Sequence, residues 1–186
     1  MLNHNQNAFY PNILLVAGTG RNSGKTTLVT SICEYLKDSI APICIKISNH
    51  FHAQIGSFCH YESEGFRIFE DTNPNSEKDT ARMLKAGAAR AFFIEAEDNF
   101  VYQAFEHVLQ FIPQGSPVIC ESGSLRNYIT PGKFILLQTE GVEPKEKSLP
   151  LIPLADHYWI SQQGRLIIPS GCVIYNNNTW EIAHIM

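Results

Sequence analysis

The chain has 186 residues and a mass of 20.9 kDa, enough for one domain around a single substantial core. An apolar fraction of 44% against 17% charged residues excludes an intrinsically disordered chain. A net charge of −4, a pI near 5.9 and the lack of any Lys/Arg stripe give no reason to expect a nucleic-acid partner.

The first residues, MLNHNQNAFYP, are polar and Asn-rich and end at Pro11, so residues 1–11 are expected to be a flexible arm ahead of one domain over 12–186. They lack the basic start and apolar core of a signal peptide. No apolar run approaches the roughly 20 residues of a membrane span, and the expected setting is soluble and cytoplasmic, with no membrane partner. The five cysteines, Cys33, Cys44, Cys59, Cys120 and Cys172, are odd in number, widely spread and form no C-x-x-C pair. They read as reduced, mostly buried thiols.

Along the chain, Ile13 to Ala17 is a continuous apolar run, the mark of a strand covered on both faces. Gly18 to Ser23 is turn chemistry. Leu28, Ile32, Tyr35 and Leu36 then recur at helical spacing, predicting a helix from about Gly24 to Asp38. Pro42 to Ser48 reads as a strand with Ile43, Ile45 and Ile47 on one face. From Asn49 to Asn75 the sequence is polar and predicts a long irregular loop. Lys78 to Ala88 is helical in pattern, Ala91 to Glu95 a short strand, and Asn99 to Ile112 an amphipathic helix. Val118 to Glu121 and Phe134 to Gln138 complete the strands of the main unit.

This β-α alternation argues for an α/β three-layer fold with a mainly parallel sheet. Residues 140–153, with three prolines, read as a surface connection. Beyond them, Tyr158–Ser161, Leu166–Ile168, Cys172–Tyr175 and Thr179–Ile182 suggest a short antiparallel C-terminal extension rather than a second domain.

The most informative segment is Gly18-Thr19-Gly20-Arg21-Asn22-Ser23-Gly24-Lys25-Thr26-Thr27. It lies between an apolar strand and an amphipathic helix, the context a phosphate-binding P-loop requires. Glycines allow left-handed backbone angles and close approach to a ligand. Backbone N–H groups can then converge on phosphate oxygens at the positive end of the helix. Lys25 offers a charge to the β- and γ-phosphates, and the Thr26 hydroxyl suits a Mg²⁺ bridging them. ATP or GTP with Mg²⁺ is therefore the expected ligand. The spacing departs from the commonest G-x-x-x-x-G-K-[ST] form, because Thr19 stands where its first glycine would be. The longer G-T-x-x-x-x-G-K-T form resembles that of dethiobiotin synthetase and related small-molecule ligases.

Three further segments strengthen one resemblance: Ile45-Lys46-Ile47-Ser48-Asn49-His50-Phe51-His52, Lys78 to Ala88 (KDTARMLKAGA), and Val118-Ile119-Cys120-Glu121-Ser122-Gly123. With the loop, and in this order over about residues 12–125, they resemble the molybdopterin-guanine dinucleotide biosynthesis protein B (MobB) family of small P-loop GTP-binding proteins. Asn49, where that family usually has histidine, and the inserted Ser122 depart from its pattern, and residues 126–186 show no clear match. The resemblance implies a Mg²⁺-dependent, weakly GTP-hydrolysing accessory protein of molybdenum-cofactor guanylylation. It also implies a guanylyltransferase partner and a homodimer. The alternative, motivated by the Gly18-Thr19 spacing, is an ATP-dependent small-molecule ligase or kinase of the dethiobiotin-synthetase type. No guanine-reading N-K-x-D sequence separates GTP from ATP.

Glu121 ends an apolar strand, so it should emerge at the carboxyl edge of the sheet beside the P-loop, placed to hold a Mg²⁺-bound water or orient an attacking one. Asp79 either serves the same metal or caps the helix that follows it. Lys25, Glu121 and Asp79 are thus the candidate catalytic residues, and Thr26, Glu121 and Asp79 the candidate metal ligands. Arg82 and Lys85 share a helix face that meets either phosphates or solvent. Lys46 points towards the site in the family reading, or is an edge-strand lysine. His50, His52, Cys59 and His60 could form a metal site, although their spacing matches no zinc template.

Overall fold

The computed structural model describes residues 7–51, 57–162 and 171–183. The predicted strand Leu166–Ile168, His52 and residues 1–6 of the expected arm lie outside them.

The apolar run at Ile13 lies within a longer strand, β1 (Ala8–Gly18). Residues 8–11, expected in the arm, instead belong to this strand, and Ala8 to Tyr10 pair with a later strand, β7 (Ile129–Thr139). Pro11 supplies no N–H, and the ladder is irregular between Tyr10 and Leu14 before it resumes. Pro11 and the polar residues before it are why only the run after the proline carries a strand signal.

The phosphate-loop segment leads into helix α1 (Lys25–Leu36). Its buried face is Leu28, Val29, Ile32, Cys33 and Leu36, whereas Tyr35, expected on that face, is exposed. Strand β2 (Ile43–Ser48) follows, with Ile43, Ile45 and Ile47 in the core on one side and Cys44 on the other.

The expected irregular loop 49–75 contains a hairpin, β3 (Ser57–Ser63) and β4 (Phe66–Asp71), joined at Glu64-Gly65. Phe66, Ile68 and Phe69 of β4 are buried. The charged residues among them obscure a run whose alternation is a strand signal.

Helix α2 (Asp79–Lys85), strand β5 (Arg90–Ala96), helix α3 (Val101–Leu109) and strand β6 (Val118–Glu121) then come where the sequence predicts them, the helices shorter at both ends. Strand β8 (His157–Ser161) follows β7 and pairs parallel with it, so it belongs to the main sheet and not to an antiparallel tail. The antiparallel extension is β9 (Val173–Asn176) and β10 (Thr179–Ile182), which form their own two-stranded sheet.

Among the described residues the main sheet has eight strands in the order β3-β4-β5-β2-β6-β1-β7-β8. Strands β5 to β8 of that order run parallel, and β4 joins β5 antiparallel. This is an α/β fold with a mainly parallel sheet between two layers. On one face α3, lying against β4 and β5, shares a core with Ile45, Phe92, Phe134, Leu15, Leu125 and Leu151; on the other, α1, α2 and the β9–β10 hairpin share one with Leu14, Val16, Ile119 and Ile135. Because parallel strands send their carboxyl ends to one edge, β1, β2 and β6 end side by side. Gly18, Ser48 and Glu121 therefore lie along that edge. Four cysteines are buried, Cys59 is exposed, and all five are free thiols.

Candidate functional site

The loop after β1 begins one residue later than its glycines suggest. Thr19 still donates its N–H to Leu137 O, 2.8 Å away, so it extends the ladder with β7 and is itself buried. Its carbonyl accepts the Lys145 N–H at 2.9 Å and the Ser148 hydroxyl at 3.2 Å. On the far side of the loop, the Ser161 hydroxyl donates to Ser23 O at 3.1 Å. The segment 140–153, expected to be a plain surface connection, is thus a buttress: Glu146–Leu154 is 3₁₀-helical, with Ser148 and Leu151 buried. Nothing in the sequence signals these contacts, which join residues more than a hundred positions apart.

Two glycines have firm steric reasons. A Cβ at Gly18 would run into Ser23 Oγ, which folds over the end of β1. Gly24, directly before α1, has φ of 87°, a left-handed angle that a side chain would strain. No side chain caps α1, and its first turn holds no acidic residue. The first amides of the helix therefore face the cleft with the positive end of the helix dipole behind them, an arrangement suited to an anion.

Residues from four separate segments meet around this helix end. Thr26 donates its hydroxyl to Glu121 Oε2 at 2.8 Å. The other Glu121 oxygen, Oε1, accepts from Lys46 Nζ at 3.2 Å, and Lys46 also donates to Asp79 Oδ2. Asp79 Oδ1 takes Arg82 Nη1 at 3.3 Å. Lys25 Nζ bridges Gly20 O and Ser23 Oγ, both 3.3 Å away. These side chains line a cleft of about 460 Å³ together with Arg21, Asn22, Ser23, Gly24 and Thr27.

The fold places each of the other candidates that lie among the described residues. Lys46 lies on a central strand between β5 and β6, so it is no edge-strand lysine. Asp79 is the first residue of α2 and makes no side-chain cap; Lys78 holds the capping position. Lys78 and Thr80 instead tie α2 to the hairpin, through Ser57 Oγ at 2.8 Å and Asp71 Oδ2 at 2.6 Å respectively. Arg82 reaches the cleft, whereas Lys85 is exposed and does not line it. His60 is engaged by Glu70 at 2.6 Å and lies against the rings of Phe92 and Phe111. Among the described residues, no three metal-ligating side chains cluster as a ready-made cation cage.

Burial lowers the pKa of Lys25, and the neighbouring Lys46 adds to the effect, with Glu121 and Asp79 opposing it. Lys46 is also penalised by burial, but the two carboxylates beside it outweigh that penalty and raise its pKa. The cleft therefore holds one ammonium short of negative partners and one that is well supplied.

The central strand–loop–helix unit and the three layers define the P-loop NTPase fold. Among solved structures, that of LpxK from Aquifex aeolicus in complex with ATP matches 96% of this chain with a TM-score of 0.51 and 17% identity. The chain spans 61% of the length of that protein. No protein-family model and no curated protein matches the sequence.

Proposed function

We propose that the cleft binds the phosphates of a nucleoside triphosphate with Mg²⁺, and that the protein is a weak GTPase resembling MobB, assisting a molybdenum-cofactor guanylyltransferase. The observation that carries this reading is the chain Thr26–Glu121–Lys46–Asp79 beside Lys25. It unites the four segments on which the resemblance rests. The uncapped end of α1 and the undersupplied ammonium of Lys25 are both suited to phosphate oxygens.

The donors at the metal position fit Mg²⁺. Thr26 Oγ1 and the Glu121 carboxylate are hard oxygen ligands already in contact, and a hard cation takes such donors together with phosphate oxygens. Bound there, Mg²⁺ would neutralise charge on the terminal phosphates. Lys25 would hold those phosphates, the α1 amides would orient them, and Glu121 would position a water molecule at the carboxyl edge of the sheet.

A second reading is ATP-dependent transfer to a small acceptor, as in ligases or kinases of the dethiobiotin-synthetase type. It is favoured by the fold's likeness to a protein solved with ATP and by a cleft that extends past the loop to Arg82. The membership of the complex and the pathway in the leading reading come from the resemblance, as does a homodimer.

A thermal-shift panel of GTP, ATP and their diphosphates with Mg²⁺, combined with phosphate-release assays, tests the proposal. Stabilisation by GTP over ATP with slow phosphate release is expected. Preference for ATP, with turnover only when an acceptor is present, would favour the second reading. Lys25→Ala should abolish the shift; an unchanged shift would overturn the phosphate-loop assignment itself.

A further inference from the structure

We propose that Lys46 is an internal cation guarding the metal position. It occupies the Glu121 and Asp79 carboxylates while the loop is free, and its ammonium moves to the terminal phosphate when the nucleotide arrives. The inference rests on the nucleotide–Mg²⁺ reading of this cleft and adds a residue that makes cation loading depend on nucleotide.

The contacts of Glu121 motivate such an exchange. Glu121 is almost fully buried, its side chain only 5% exposed, and a carboxylate so placed needs a positive partner. Lys46 provides it at 3.2 Å on Oε1, and the same ammonium is hydrogen-bonded to Asp79. The remaining Glu121 oxygen accepts the Thr26 hydroxyl at 2.8 Å. Each oxygen of the carboxylate therefore already has a partner, one of them a positive charge. A divalent ion placed against Thr26 and Glu121 would repel that ammonium at close range, in a setting where charges are weakly screened.

Lys46 has somewhere to go. Its side chain lines the same cleft as Lys25, Arg21 and the α1 amides, and Lys46 already acts on Lys25 by like-charge repulsion. Phosphate oxygens on the loop would satisfy both ammonium groups. The released carboxylate oxygens of Glu121 and Asp79 would then meet the cation that accompanies the nucleotide. Lys46 in this account is a positioning residue: it keeps two acidic side chains aligned without allowing them to collect a divalent ion on their own.

The experiment uses Mn²⁺ alone as the probe, with bound and free ion distinguished by electron paramagnetic resonance, on the full chain. The wild type should bind Mn²⁺ weakly without nucleotide and much more tightly with a non-hydrolysable GTP or ATP analogue. Lys46→Met should gain about tenfold or more in nucleotide-free Mn²⁺ affinity, because the carboxylates lose their competing cation. Lys46→Arg should preserve the exclusion, and Lys46→Met combined with Glu121→Gln should lose the gain. Equal Mn²⁺ affinity in wild type and Lys46→Met would overturn the proposal, as would a gain in Lys46→Arg. If Lys46→Met does not fold, the wild-type titrations still decide: tight Mn²⁺ binding without nucleotide would overturn the proposal. A wild type that binds no nucleotide would instead refute the P-loop reading, an outcome separable from the nucleotide-free titrations.

Discussion

Lys25 shows how a single side chain reports on the ligand it is built for. Its ordinary pKa of 10.5 is lowered chiefly by burial, and Lys46 nearby adds to that. Phosphate oxygens on the loop would reverse the effect. In the free protein Lys25 loses its proton at a pH below 10.5, whereas in the complex it keeps it. Between those two values, binding must take up a proton, and affinity must fall as pH rises through the depressed pKa. Calorimetry of the wild type in alkaline buffers of different ionisation enthalpy should show this uptake growing as the pH passes the depressed pKa. Lys46 works with the opposite sign, because its carboxylate partners raise its pKa and its charge persists above 10.5. Binding with no proton uptake anywhere in the alkaline range would overturn this linkage.

At the scale of elements, the phosphate loop is held from three sides. β7 fixes Thr19, the 3₁₀ segment at Ser148 fixes its carbonyl, and β8 fixes Ser23 through Ser161. The loop's shape therefore depends on Ser23 lying across Gly18. Gly18→Ala should displace Ser23 and with it Lys25, whose ammonium rests on Ser23 Oγ. Nucleotide affinity should fall by about tenfold or more, a typical cost for forced backbone or side-chain movement at a packed site. Comparison of nucleotide affinities by titration checks this, and wild-type affinity in Gly18→Ala would mean that Ser23 gives way freely. The elements that carry the site were legible because their signals are local: an apolar run into β1, glycines, Lys25-Thr26, then helical spacing. The charged end of β6 at Glu121 was legible for the same reason. The buttresses were not, since Ser148 and Ser161 are ordinary residues until the chain brings them to the loop. The β3–β4 hairpin was missed because Arg67, Glu70 and Asp71 break its apolar run; in the fold Glu70 and Asp71 are partnered by Arg90 and Thr80. The joint engagement of Glu121 and Asp79 by Lys46 was likewise out of reach, because it depends on strand order. Only the placement of β2 next to β6 brings Lys46 opposite Glu121 in register.

For the whole molecule, the C-terminal hairpin makes a clear test of what is core and what is site. β10 packs behind β1 and β7, and Trp180 is buried among the residues that cover Leu14, Val16 and Ile135. Its indole N–H donates to Asn12 O at 2.8 Å, so the ring both fills volume and satisfies a backbone carbonyl of β1. Trp180→Ala removes the largest fully buried side chain among the described residues and leaves that carbonyl without its indole partner. Losses of this kind cost about 3–5 kcal/mol. No residue of the hairpin lines the cleft, and no hydrogen bond of the loop involves it. Stability and binding should therefore separate. Urea unfolding of Trp180→Ala should show the loss of stability, while nucleotide affinity of the folded fraction, measured at low temperature, should change by less than about threefold. Equal stability would mean that β9 and β10 are not part of the folding unit. A large loss of affinity would mean that β1 transmits strain from the hairpin to the loop, and that the P-loop is supported from behind the sheet as well as from its flanks.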